Sequence, residues 1–227
     1  VCIPADIFGA KSGVGELVKM LLDKGSSPEN TDEYGRTALF HAIHVRGSSK
    51  VTKMLLESGA KIEHADRDGR TAVFHAIRLV PRIGRFLDIL KLLFEHKADV
   101  EHRDKHGHTP LLHVVKASDD LGLLDPNCIL EYVQLLVQHG ANVDDRQPNC
   151  YNVPQEGRTV AMLVLECAPN LGRQTSTDCL KYLLSQGCDI DNIKIPYHGS
   201  LADMAREMIP VLFGPTHVAV ATSALQL

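Results

Sequence analysis

The sequence predicts an all-α fold: an α-solenoid of stacked helix-turn-helix units with short β-hairpin fingers between them. Two recurring strings and their spacing lead there. The first string is Asp66-Arg67-Asp68-Gly69-Arg70-Thr71-Ala72-Val73-Phe74-His75-Ala76. It returns upstream at residues 32–42, downstream at 104–114 and in degraded form at 157–163. The second, Leu55-Leu56-Glu57-Ser58-Gly59-Ala60, returns at 92–98, 135–141 and 183–188, with an early copy at 21–25. In the best-preserved unit, Gly35 and Gly69 stand 34 residues apart. A chain that repeats one unit builds a linear array in which each unit packs on its neighbours.

Taken in order, residues 5–29 read as a first unit without a finger. An inner helix covers 5–11, a turn 12–15 and an outer helix 16–24, with Leu17, Val18, Leu21 and Leu22 at helical spacing on one face. Gly25 suits the helix stop. The nearby Gly9-Ala10-Lys11-Ser12-Gly13-Val14-Gly15 is not a phosphate loop, which needs Gly directly before Lys-Ser and a strand leading in. In the second unit, 30–63, Asp32 and Gly35 make the tight turn of a finger. Thr37 caps the inner helix. Leu39, Ala42 and Ile43 then face inward, opposite Val51, Met54, Leu55 and Leu56 of the outer helix.

The third unit, 64–101, is longer, and its extra residues fall between its helices at 78–86. The fourth, 102–145, stretches further, Gly107 to Gly157 spanning 50 residues, through an inter-helix insertion at 117–127 and a long finger at 146–156. The fifth, 146–191, holds an inter-helix loop at 168–177 and an outer helix over 178–186. A shortened sixth unit, 192–213, closes the domain with one helix at 201–208, where Arg206 and Glu207 offer the polar cover an array end requires. The domain thus spans 1–213, and 214–227 is an unassigned tail.

The pairing of Gly-x-Thr-[Pro/Ala]-Leu with Leu-Leu-x-x-Gly-Ala resembles the ankyrin-repeat family over nearly all of residues 5–208. The resemblance implies protein–protein recognition without catalysis, no cofactor, and a monomer in isolation. Two other readings stay open: a regulatory or substrate-recruiting segment of a larger enzyme or channel, and, more weakly, nucleic-acid binding. The start at Val1 and the apolar end at 218–225 read as a piece of a longer polypeptide.

Composition narrows the choice. A formal net charge of −4 argues against generic attraction to phosphate backbones, which needs a basic excess or face. Six cysteines without regular spacing read as reduced thiols, which places the chain in the cytoplasm or nucleus. No run is long enough to span a bilayer, so no membrane partner is expected.

Twelve histidines make metal binding a question. The densest group, His102, His106 and His108 with His113 beyond, has no Cys or paired carboxylate to complete a tetrahedral set. His41, His75 and His113 occupy one position in three successive units. Helices packed about 8–10 Å apart cannot bring their nitrogens within the roughly 4 Å of a shared zinc. They read as a ladder of partly buried imidazoles bonded to finger backbone, and no metal site is expected. Nor does a catalytic set stand out: Asp32, Asp66 and Asp104 recur once per unit, as turn builders do.

What remains is surface. Arg36, Arg70, His108 and Arg158 follow the finger glycines as a basic row, and His44, Arg78 and Lys116 form a second row at the inner-helix ends. Tyr34, Arg67 and His106 add finger tips, and Tyr151 lies on the long finger between Pro148 and Pro154. Tyr and Arg are enriched at interface hot spots. These residues are the candidate binding set for an acidic or extended segment of a protein partner along a concave groove, with no small-molecule substrate expected. The plain alternatives are that the basic residues are simply solvated and the long finger a tolerated extension.

Overall fold

The computed structural model describes residues 13–44, 49–78, 86–117, 126–146 and 159–188. The chain divides into two compact units, Val1–Pro110 and Leu111–Leu227. The first contains α1 (Val14–Asp23), α2 (Ala38–His44), α3 (Ser49–Glu57), α4 (Ala72–Arg78) and α5 (Phe86–Glu95). Helices α2 and α4 pack on each other as an inner layer. In the outer layer α3 packs on both α1 and α5, while α2 and α4 lean on α3 and α5 respectively.

Helices of seven residues, such as α2 and α4, do not persist alone in water. Burial holds them. Leu39, Phe40, Ala42 and Ile43 of α2 and Val73, Phe74, Ala76 and Ile77 of α4 are all buried, against Val51, Leu55, Ile89, Leu90 and Leu93 from the outer layer. Each large apolar side chain so covered contributes about 1.5–3 kcal/mol. The small Ala42 and Ala76, both 0% exposed, let the layers approach closely.

The outer helices end as the repeated Leu-Leu-x-x-Gly-Ala string requires. Ala60 N–H donates to Leu55 O and Gly59 N–H to Leu56 O, and Ala98 and Lys97 repeat the pattern onto Leu93 O and Phe94 O. The reversal needs a left-handed residue after the helix. Lys97 fills that place with φ 65, where the other outer helices use glycine.

Several expectations change. The turn at 12–15 is shorter, since α1 already begins at Val14 and brings Gly15 against Val51 of α3. Of the face expected on that helix, Val18 is fully buried, but Leu17, about 100° of helical turn away, is 42% exposed. The fingers contain no strand among the described residues. Each closes on one rung, Asp32 N–H to Arg36 O, Asp66 N–H to Arg70 O and Asp104 N–H to His108 O, because the chain passes from the turn almost directly into the inner helix. An isolated antiparallel bridge joins Arg146 and Thr159.

The second unit contains α6 (Pro110–Ala117, its first residue closing the first unit), α7 (Pro126–Gln138), α8 (Val160–Glu166), α9 (Ala168–Leu171) and α10 (Arg173–Ser185). Helix α10 packs on α7, α8 and α9. The expected loop at 168–177 is therefore helical on both sides of Gly172. Pro169 sits in the first turn of α9, where its missing N–H costs nothing, and Leu171 and Ser176 are buried. Thr159 caps α8 by accepting from Met162 N–H at 3.3 Å. Thr71, which precedes α4, has a buried Oγ1 without a hydrogen-bond partner. The expected inner helix at 5–11, the sixth unit at 192–213, and all but the flanks of the insertions at 78–86, 117–127 and 146–156 lie outside the described residues.

Two substitutions test the backbone. Lys97→Gly relieves a left-handed lysine and should raise stability by about 0.5–1 kcal/mol. Gly69→Ala places a Cβ 2.9 Å from Lys105 N at φ 75 and should cost at least about 2 kcal/mol. Urea denaturation midpoints of the two variants check both.

Candidate functional site

The fingers of the first unit are built on three aspartates. One carboxylate oxygen of each spans the turn: Asp32 Oδ1 accepts from the N–H groups of Tyr34 (2.8 Å) and Arg36 (2.9 Å). Asp66 Oδ1 does the same for Asp68 and Arg70, and Asp104 Oδ1 for His106 and His108. The second oxygen faces side chains. Asp32 Oδ2 takes Arg36 Nε at 2.8 Å and His41 Nε2 at 3.1 Å, and Asp66 Oδ2 takes His75 Nε2 at 2.7 Å. Asp104 Oδ2 is buried, with His108 Nδ1 at 3.6 Å and Arg70 Nε at 3.8 Å.

Successive fingers are tied together. Arg67 N–H donates to Tyr34 O and Lys105 N–H to Asp68 O, at 3.0 and 2.9 Å. His64 Nε2 donates to Gly35 O and His102 Nε2 to Gly69 O. These last bonds correct the expected ladder. His41 and His75 bond the finger carboxylates, and the finger backbone is held by His64 and His102. Sequence reasoning missed that pair, although both stand two residues before a finger aspartate.

Charge state follows from these contacts. Burial alone would raise the Asp32 carboxyl, but the Arg36 and Tyr34 N–H groups and the Arg36 guanidinium outweigh it and hold it down at about 2. Asp66 is likewise held below the usual carboxylate range, its burial outweighed by the Arg70 N–H, the His75 ring and the Asp68 N–H. His41 is pushed down by burial and by Arg36, more than Asp32 raises it. The Asp32–His41 contact is thus a carboxylate accepting from a neutral imidazole at neutral pH.

The candidate binding residues separate by exposure. Tyr34 is 56% exposed, with the Arg36 guanidinium 4.7 Å from its ring centre. Arg67 and His106 are also exposed, as is Lys105, which sequence reasoning passed over. The row after the finger glycines is less open. Arg36 pairs with Asp32, Arg70 approaches Asp68 at 3.4 Å and keeps 17% of its side chain exposed, and His108, expected on the outside of the hairpin, is 8% exposed beside Asp104. His44 is half-buried and bonds His75, and Lys116 on α6 is half-buried. Arg78 ends α4, with its side chain outside the described set, as are Tyr151 and Arg158.

Among the described residues, Glu63, Asp99 and His102 place one potential ligand atom each within 4.8 Å of one another, so they could hold a cation. The same groups already join the units: Glu63 Oε1 accepts from Asp99 N–H and His102 donates to Gly69 O. One unit earlier Glu29 accepts from Lys61 N–H in the same way. Of the described cysteines, Cys167, Cys179 and Cys188 are buried and Cys128 is half-buried. Burial pushes Cys179 up to about 12, which keeps it a thiol and no nucleophile.

A family model described as ankyrin repeats in three copies matches residues 7–104 and 82–194. The chain belongs to the ankyrin-repeat family. Ankyrin repeats are generally protein–protein interaction modules and typically non-enzymatic. No curated protein matches the chain. Among the described residues of this ankyrin-repeat protein no helix is long and apolar enough to cross a membrane.

The finger carboxylates make stability depend on acidity. Asp32 binds its proton less readily folded than unfolded, so its contribution is complete above the unfolded value of about 4 and drains away as pH falls toward about 2. The wild-type chain should lose about 2 kcal/mol over that window through this group, and Asp32→Asn should flatten the loss in acid denaturation followed by circular dichroism.

Proposed function

We propose that this ankyrin-repeat chain binds an extended, acidic segment of a partner protein along the fingers of its first unit and catalyses no reaction. The observation carrying the reading is the row of exposed tips on linked fingers: Tyr34 backed by Arg36, then Arg67, then Lys105 and His106. Aromatic and guanidinium groups of this kind supply most of the energy of small interfaces. Arg36, Arg70 and His108 buttress the tips from behind, each beside a finger aspartate, and His44 at the end of α2 is half-buried behind them, while Arg78 and Lys116 stay candidates from the sequence. Tyr151 and Arg158 stay candidates on the sequence alone and lie outside the described residues.

The aspartates recur as turn builders, one per finger, and a reaction centre would occur once. That supports a binding role, as do the pairings that keep Arg36 and Arg70 from acting as free charges. Among the described finger tips of this row a phosphate backbone would meet the cations Arg67 and Lys105, too few by themselves for the salt-steep binding of nucleic-acid proteins.

An array of acidic, neutral and basic peptides tests this. The wild-type chain should favour extended acidic sequences. Tyr34→Ala combined with Arg67→Glu should weaken binding at least about tenfold with an unchanged melting temperature. Equal binding by the variant, or a preference for basic peptides, would remove the finger tips from the account.

A further inference from the structure

We propose that the finger edge reads an order of charges on a peptide in the polyproline II conformation. A basic side chain of the peptide meets Glu33, and two acidic ones, each three residues further along, meet Arg67 and Lys105. This register rests on the finger tips being the binding edge. Between its aspartate and its glycine each finger carries two outward residues. The first of the two is Glu33, Arg67 and Lys105 in successive fingers, the second is Tyr34, Asp68 and His106, and all are exposed. Equivalent positions of stacked units fall on one line. The first positions therefore make a row that reads acidic, basic, basic.

The neighbouring groups leave that order intact. Tyr34 offers a ring with the Arg36 guanidinium 4.7 Å from its centre, and the rings of His106 and His108 have centroids 5.9 Å apart. Asp68 Oδ2 is approached by Arg70 at 3.4 Å. Deeper in the fingers Arg36 is held by Asp32, and Arg103 turns back to donate to Gly107 O.

Spacing selects the conformation of the peptide. The fingers lead into α2 and α4, which pack on each other, and packed helices lie about 8–10 Å apart. The fingers follow the same step, because Arg67 N–H reaches Tyr34 O and Lys105 N–H reaches Asp68 O. A β-strand repeats a face every second residue, at about 6.7 Å, so its side chains drift out of step with the tips. A polyproline II chain repeats a face every third residue, at about 9.3 Å, which matches. The tips contribute side chains, so the peptide can run in either direction: Lys-x-x-Glu-x-x-Glu and Glu-x-x-Glu-x-x-Lys both satisfy the row.

Fluorescence anisotropy of labelled peptides with the full chain tests this at low salt. Lys-Pro-Pro-Glu-Pro-Pro-Glu, or its reverse order, should bind at least about fivefold tighter than Glu-Pro-Pro-Lys-Pro-Pro-Glu, which has the same composition but sets its lysine over Arg67 in both directions. The same charges spaced two residues apart should also bind more weakly. Glu33→Lys, with native amide shifts, should reverse the choice and favour Glu-Pro-Pro-Glu-Pro-Pro-Glu over the lysine-containing peptides. Equal binding of all the charge orders, tighter binding at the two-residue spacing, or an unchanged preference in Glu33→Lys would overturn the register while leaving an acidic partner in place. Failure of every acidic peptide to bind would overturn the finger-tip reading and the register together.

Discussion

Everything in the first unit hangs on the finger carboxylate. A buried or half-buried charge is stable only when its oxygens are filled by donors, and Asp32 and Asp66 achieve this by gathering the turn's own N–H groups on one oxygen and side chains from the inner helix on the other. One residue therefore sets the turn, fixes the entry angle of the inner helix and decides which way two imidazoles face. Asp104 departs from the pattern: its second oxygen has only longer contacts, to His108 and Arg70.

That arrangement shapes the surface. Cations directly behind the finger glycines are drawn to the aspartates, and the residues nearest solvent are the tips themselves. Links between fingers, through Arg67 and Lys105 N–H groups and through His64 and His102, hold those tips in register, so a partner would meet a preordered edge and pay little ordering entropy.

Much of the fold was legible in the sequence, because glycine and paired leucines mark a repeat whatever lies between them. Gly69 is fixed by backbone geometry and by Lys105 pressing on it, and Leu55 and Leu93 by burial, so periodic spacing exposes both. Residues 168–177 misled because Pro, Asn, Gly, Ser and Thr favour turns and loops locally, whereas Leu171 and Ser176 are buried in a way no local pattern reveals. The candidate binding row was legible only as residue types. Whether Arg36 or Arg67 keeps its charge free depends on the rotamer that reaches Asp32, and rotamers leave no trace in spacing. His64 and His102 illustrate the same limit: their period was visible, but the acceptor they reach belongs to the preceding finger.

Amide hydrogen exchange in Asp66→Ala addresses the central claim most directly. If the carboxylate organises the finger, protection at Asp68 and Arg70 should fall at least about tenfold, and His75 should lose its fixed tautomer, while amides in α1 change little. Unchanged protection at Asp68 and Arg70 would mean that the glycine turn and helix packing shape the finger without it.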